Sequence, residues 1–194
     1  MHAPVQHKSI ITTPANREVI MNDNQETISR TDLEGNILFC NKTLAKLSGY
    51  SQKELLKSAH SILRHPDMPK AVFYFVWQKI LAGLTTRALV KNFTKEGNYY
   101  WVLLEFSALR NNEYKIISYI AKGTKPSRQL IEKIKPLYSA TLDYEYRYGF
   151  HNSIKYMASI FEQENVASYS DYLYKLEEQP KNNFFSIFKW IKSN

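Results

Sequence analysis

The order of apolar and polar residues divides the chain into three parts. Residues 1–22 mix Pro, Thr, Asn and His without clear periodicity, which predicts a mobile or partly helical leader. Two short runs rich in β-branched and aromatic residues, 26–30 and 36–40, then flank a segment that contains Asp32 and Gly35. Asp and Gly at this spacing favour a tight turn, so the two runs are predicted to form a β-hairpin.

Short helical segments are predicted after the hairpin. Asn41 stands where its side-chain oxygen can cap a helix over residues 42–48, and Gly49 is a natural end for that helix. Ser51 and Glu54 have the three-residue spacing of a capping box, which predicts a second short helix.

A longer helix and three strands complete the central part of the chain. The helix is predicted to end near Ala82, with Asp67 as its cap and Pro69 in its first turn. The strands are predicted at residues 87–94, 99–110 and 114–122. Two strands, a group of helices and three more strands predict an α+β domain, in which a five-stranded antiparallel sheet carries short helices on one face. A cavity is expected between the helices and the sheet.

The strand pattern stops after residue 125, and the remainder is predicted to be a C-terminal helical extension over 126–194. Helices are expected at 128–141 and 152–164, and Ser170 is expected to cap a third. The predicted organisation is therefore a leader over 1–22, a sensor-sized domain over 23–125, and the extension. Near the end of the chain, apolar residues recur at helical spacing, at Phe184, Ile187, Phe188 and Ile191. This stripe fits the protein's own core, a docking helix for a partner, or an interfacial helix.

Charge and cysteine content exclude several classes of protein. The formal net charge is +8, but the Lys and Arg residues are scattered singly among acidic and apolar neighbours, so a nucleic-acid-binding surface is not expected. Cys40 is the only cysteine, which excludes an internal disulfide and a CxxC centre and suits a reducing cytoplasm. No apolar run approaches the roughly 20 residues of a membrane-spanning helix, so neither export nor membrane insertion is expected.

Few residues suggest catalysis or metal binding. Arg64, His65 and Asp67 stand close together, but no nucleophile or matching carboxylate accompanies them, so an enzyme is not expected. A metal site with His60 is also not expected, and a capping and cavity-lining role is favoured. Because some sensors hold haem through one axial His, His60 and His65 leave a haem-binding domain as an alternative. Cys40, among apolar neighbours, is read as a small core residue.

Several segments of the central domain form a recognisable set of motifs in a fixed order: Thr31-Asp32-Leu33-Glu34-Gly35-Asn36-Ile37, Asn41, Ser48-Gly49-Tyr50-Ser51, Glu54-Leu55, Arg64-His65-Pro66-Asp67-Met68-Pro69, Val90-Lys91-Asn92 and Gly97-Asn98-Tyr99-Tyr100-Trp101-Val102. Together they resemble the PAS domain of Aer-type aerotaxis receptors and of related short energy-taxis proteins. The resemblance covers residues 23–126, and a weaker match extends to about residue 138. The resemblance implies a PAS fold that binds FAD non-covalently, with the redox state of the flavin as the signal. The residues it associates with flavin binding or signalling are Asn41, Arg64, His65, Asp67, Trp77 and Asn92.

The chain departs from the family in two respects. Where the family often has a Pro-Trp pair after a glycine, this chain has Leu84-Thr85-Thr86-Arg87 after Gly83. The full-length receptors also continue into a membrane hairpin, a HAMP unit and a signalling rod, whereas this chain stops at Asn194 with only helical sequence. Its output is therefore expected to pass through a membrane-bound methyl-accepting protein or similar transducer, so the protein is expected in the cytoplasm and can lie at the inner face of the membrane. A homodimer is also expected. The alternatives are a haem or small-ligand PAS sensor and a cofactor-free interaction module.

Overall fold

The computed structural model describes residues 16–178, in which one antiparallel sheet is combined with helices. The strands lie in the order β2-β1-β5-β4-β3. In chain order the elements are β1 (Thr27–Thr31), β2 (Ile37–Cys40), α1 (Lys42–Ser48), α2 (Gln52–Leu55), a 3₁₀ helix (His60–Leu63), α3 (Lys70–Leu81), β3 (Thr86–Phe93), β4 (Tyr99–Arg110), β5 (Ile116–Thr124), α4 (Arg128–Tyr148), α5 (Phe150–Gln163) and α6 (Tyr169–Glu178). This arrangement confirms the predicted α+β class, the five-stranded sheet and the helical extension.

The predicted signals at the first two helices are confirmed. The Leu44 N–H donates to Asn41 Oδ1 at 2.9 Å, and Gly49 ends α1 in the left-handed conformation at φ 73°. The side chains and backbones of Ser51 and Glu54 hydrogen-bond each other reciprocally, as in a capping box. These local contacts fix the first helices against the hairpin.

The start of α3 differs from the prediction. Pro69 is the residue before the helix and makes no side-chain cap, and Asp67 forms an ion pair with Lys91 at 2.6 Å instead. The prediction that Asp67 caps this helix is therefore wrong. The Lys70 N–H donates to Glu145 Oε2 of α4 at 2.9 Å. A carboxylate from the C-terminal extension thus supplies the negative charge that a helix N-terminus favours.

Helices cover both faces of β4. Tyr100, Val102 and Leu104 alternate along the strand and are buried on the inner face of the sheet, which faces α3. On the outer face Trp101 is buried, and its ring stacks on Tyr138 of α4 at a centroid distance of 6.3 Å. The extension therefore shares a hydrophobic core with the sheet.

The C-terminal helices also hydrogen-bond to backbone groups at the free edge of β3. The Leu89 N–H donates to the Tyr169 hydroxyl at 3.2 Å, and the Tyr138 hydroxyl donates to the Leu89 carbonyl at 2.6 Å. The two hydroxyls also hydrogen-bond each other, so these groups form a closed ring. Because an uncovered edge strand is a template for pairing with another chain, the two tyrosines block strand addition at this position.

The extension forms three helices, and their bounds differ from the predicted ones. α4 runs without a break through Pro136. The cap of α6 is Ser168, whose Oγ accepts from the Asp171 N–H at 3.2 Å, so the prediction that Ser170 caps this helix is wrong. The stripe from Phe184 to Ile191 lies outside the described residues.

Part of the predicted leader packs on the folded domain. The Val19 N–H donates to the Tyr99 carbonyl at 2.7 Å, and the Tyr99 N–H donates to the Arg17 carbonyl at 3.0 Å. Met21 is buried in the main hydrophobic core. Over residues 16–178 the structure contains no helix that is both long and apolar enough to cross a membrane.

Candidate functional site

A cavity of about 220 Å³ lies between the inner face of the sheet, α3 and the 3₁₀ helix. Three of its lining residues are exposed and define its mouth: Glu34 in the β1–β2 turn, Ala59 just before the 3₁₀ helix, and Ser61 in that helix. The cavity lies where the sequence predicted one. It is lined by residues from β1, β3, β4, β5 and α3, so every strand but β2 contributes to it.

Most of the cavity wall is apolar and aromatic. Trp77 of α3 meets Tyr119 of β5 edge to face, with ring centroids 5.3 Å apart. Phe73 and Phe106 add two further rings from α3 and β4. Flat apolar walls of this kind suit a planar ring system. Leu84, in the segment that replaces the family's Pro-Trp pair, is 52% exposed and does not line the cavity.

Arg64 supplies positive charge at the cavity. Its Nη2 donates to the Met68 carbonyl at 3.1 Å, and the guanidinium lies 4.2 Å from the centroid of the Phe73 ring. Burial lowers the pKa of Arg64, and the nearby Glu145 carboxylate opposes that effect. Since an arginine stays protonated at neutral pH, this side chain can pair with a phosphate or a carbonyl oxygen of a guest.

Asn92 provides an amide to the cavity wall next to Arg64. The residue is 5% exposed, lines the cavity from β3, and its Nδ2 donates to the Tyr100 hydroxyl at 3.3 Å. A backbone bridge joins Asn92 to Arg64. The structure therefore places Arg64, Trp77 and Asn92, three of the six residues predicted for the site, around one cavity.

His65 and Asp67 lie beside the cavity but do not line it. The His65 ring packs on Phe93 at a centroid distance of 4.1 Å, and its Nδ1 accepts from the Asp67 N–H at 3.0 Å. Burial and the charge of Lys91 lower the pKa of His65 to about 4, although Asp67 acts in the opposite direction. Both residues hold the loop that carries Arg64.

Asn41, the remaining predicted site residue, also lies outside the lining. Besides capping α1, its Oδ1 accepts from the Ile28 N–H at 3.2 Å and its Nδ2 donates to the Glu26 carbonyl at 2.8 Å. The amide is therefore committed to joining β1 to α1.

Sequence reasoning missed a polar group on β1. Ser29 and Thr31 line the cavity, and Ser29 Oγ lies 3.0 Å from Nε2 of His60. The sequence did contain a signal for this group. Alternate residues of a central strand usually face the core, so polar residues at such positions point to a polar group inside the domain.

Comparison with protein families gives a match over most of the sensor-sized domain. A family model described as "PAS fold" matches residues 15–123, more than half of the 194 residues. The aerotaxis receptor of Escherichia coli (strain K12) is 36% identical over 118 residues, which are 61% of this chain and 23% of the receptor. The nitrogen fixation regulatory protein of Klebsiella oxytoca is 27% identical over 94 residues, or 48% of this chain and 19% of that protein. The chain thus matches about a quarter or less of the length of these relatives.

Solved structures share the same fold. The light state structure of the blue-light photoreceptor Aureochrome1 LOV aligns with a TM-score of 0.52 and 21% identity, over 56% of this chain and 88% of the other. A light-oxygen-voltage domain studied with a flavin analogue aligns with a TM-score of 0.52 and 22% identity, over 56% and 82% of the two chains.

Proposed function

Because the chain belongs to the PAS family, we propose that it is a redox sensor that binds FAD in the cavity on the inner face of its sheet. The observation that carries the proposal is the cavity itself, which has aromatic walls and polar groups at Arg64, Asn92 and His60. Similarity to the aerotaxis receptor supports a signalling role.

The lining residues fit the chemistry of a flavin. The apolar wall from Trp77 to Tyr119 suits the faces of the ring, and Asn92 can hydrogen-bond to its polar edge. Arg64 can pair with an anionic or carbonyl oxygen. The volume of about 220 Å³ is smaller than that of most sites for drug-sized ligands. We therefore expect the cavity to enclose the ring system, with the remainder of FAD beyond the mouth at Glu34. When bound, the flavin would supply the redox change, and no turnover is required.

The extension is the element through which the cavity would signal. Glu145 of α4 caps α3 through the Lys70 N–H and interacts electrostatically with Arg64, so one carboxylate connects the cavity to the C-terminal helices. An anionic guest oxygen on Arg64 would offset part of the positive charge that attracts Glu145. A change of charge on the guest can therefore alter how firmly α4 holds α3.

The partner in this proposal is a transducer of the bacterial taxis type. We propose a membrane-bound methyl-accepting signalling protein or a similar transducer, reached from the cytoplasm, and a homodimeric sensor. The basis is the match to the aerotaxis receptor, of which this chain covers only a part.

Titration of the full-length protein with FAD, followed by flavin fluorescence and anisotropy, tests the site. Arg64→Ala and Asn92→Ala should weaken FAD binding about tenfold to a hundredfold, because each removes a partly or fully buried hydrogen-bonding partner. The matched control is Arg30→Ala, at an exposed arginine of β1 that alternates with Ser29 and Thr31 and does not line the cavity, and it should bind FAD like the wild type. Equal affinity of all four proteins would contradict the assignment of the cavity as the flavin site.

A further inference from the structure

A stripe of hydroxyl groups lies on the inner face of β1. Thr27, Ser29 and Thr31 alternate along the strand, and all three are less than 10% exposed. Thr27 Oγ1 donates to the Gly123 carbonyl at 3.4 Å, whereas Ser29 and Thr31 face the cavity. Because burying a hydroxyl costs free energy unless it is hydrogen-bonded, this stripe indicates that the hydroxyls have hydrogen-bonding partners on a largely apolar face.

His60 is the partner of Ser29 and is held firmly in place. Its backbone N–H donates to the Gly35 carbonyl at 2.9 Å, and its Nε2 lies 3.0 Å from Ser29 Oγ. The ring lines the cavity. Burial lowers the pKa of His60 to about 4, so the imidazole is neutral at pH 7.

Few other charged or titratable groups face this imidazole. Arg64 follows on the same loop, Glu34 lies at the mouth on the β1–β2 turn, and Tyr119 comes from β5. The cavity-lining residues of α3, β3 and β4 are uncharged: Phe73, Val76, Trp77, Ile80, Val90, Asn92, Leu104 and Phe106. His60 is therefore the one lining group with an ordinary pKa near 7.

We propose that His60, held by Ser29, is the proton acceptor that couples reduction of the cavity's flavin to uptake of a proton by the protein. The inference rests on the proposed flavin site. Two electrons and one proton convert the neutral oxidised ring into a reduced ring with one negative charge. That charge favours protonation of a neighbouring imidazole, which takes a second proton from solvent. The site as a whole then gains two electrons and two protons, and its net charge does not change.

Ser29 would report this step to the sheet. A neutral imidazole nitrogen can accept a hydrogen bond from the serine hydroxyl, but both nitrogens of a charged imidazole are donors. On protonation of His60, Ser29 Oγ must accept, and its own hydrogen must turn to another acceptor. Ser29 pairs with Ala121 of β5 and with Cys40 of β2, so the change in hydrogen bonding occurs on β1, between these two strands.

The test is the midpoint potential of the FAD-loaded full-length protein as a function of pH, with dithionite as the reductant, which is oxidised to sulfite. In His60→Gln the slope of the potential against pH should be smaller than in the wild type by about 30 mV per pH unit, the two-electron equivalent of one proton. His151→Gln, at an exposed histidine of α5, is the matched control and should keep the wild-type slope.

A second readout does not depend on the variant. Imidazole ¹⁵N chemical shifts of the wild-type protein at pH 7 should show a neutral His60 with oxidised FAD and a charged His60 after reduction by dithionite. A His60 that stays neutral on reduction, or a His60→Gln protein with bound FAD and an unchanged slope, would overturn the inference and leave the flavin site standing. A wild-type protein that takes up no FAD would overturn both.

Discussion

The His65 ring is buried against Phe93, and its Nδ1 accepts a hydrogen bond from the Asp67 backbone. A protonated Nδ1 could not accept this bond, and the positive charge of Lys91 disfavours a second cation nearby. The fold therefore depends on a neutral imidazole at this position. His60 is also held neutral, by burial.

Acid should destabilise the protein before its carboxylates titrate. The pKa values of His60 and His65 fall from about 6.5 to about 4 on folding, so between these values the unfolded chain binds more protons than the folded one. The free energy of unfolding should fall as the pH is lowered from 7 to 4, by about 3 kcal/mol for each histidine. Glu54, whose pKa is lowered from 4.5 to about 2, adds to this loss once the pH falls to about 4.5, because the carboxyl then becomes protonated in the unfolded chain but not in the folded one.

Urea unfolding at pH 7 and pH 5 measures this loss. His65→Gln should lose less stability between the two pH values than the wild type, whatever its stability at pH 7. His151→Gln, which changes an exposed imidazole, should follow the wild type. An identical loss in the wild type and in His65→Gln would show that His65 does not titrate differently in the two states.

At the scale of elements, β3 connects the cavity to the extension. Its inner face brings Asn92 to the cavity, and its free edge is bound by the hydroxyls of Tyr138 and Tyr169 at Leu89. Arg87, near the start of the strand, pairs with Glu177 of α6 at 2.8 Å. A shift of β3 would therefore act on α4 and α6 together.

Removing a hydroxyl from the ring at Leu89 should loosen this attachment. Tyr138→Phe leaves the buried Leu89 carbonyl without its tyrosine donor, so the free energy of unfolding should fall by about 1 to 3 kcal/mol. Amide hydrogen exchange in α4 and α6 should also become faster. The control is Tyr146→Phe, which changes a tyrosine of the same helix that is 91% exposed. If the Tyr138→Phe protein matches this control in stability and in exchange, the hydroxyl ring does not hold the extension.

For the molecule as a whole, the order of elements could be predicted from the sequence because its signals are local. β4 has the predicted bounds, since turn-forming residues lie directly before and after it in the sequence. The caps at Asn41 and Ser51 could be predicted for the same reason. Contacts between residues far apart in the sequence could not be predicted. Lys91 attracts Asp67 away from the helix that it was predicted to cap, and Glu145, 75 residues beyond Lys70, replaces it.

The candidate site was predictable in part, for a related reason. Resemblance to a family identified Arg64, Trp77 and Asn92, which the structure brings to one cavity. It could not separate residues that line the cavity from residues that hold the lining in place, as His65 does. The Ser29–His60 pair joins a strand to a helix 31 residues further along the chain, and only the folded structure shows that the two residues meet.

The central claim is that the cavity encloses a flavin, and the visible absorption spectrum of the freshly purified full-length protein tests it most directly. The account predicts a flavin spectrum, with about one FAD per chain after saturation with added FAD. A haem spectrum, or a colourless protein that takes up no added FAD, would contradict it.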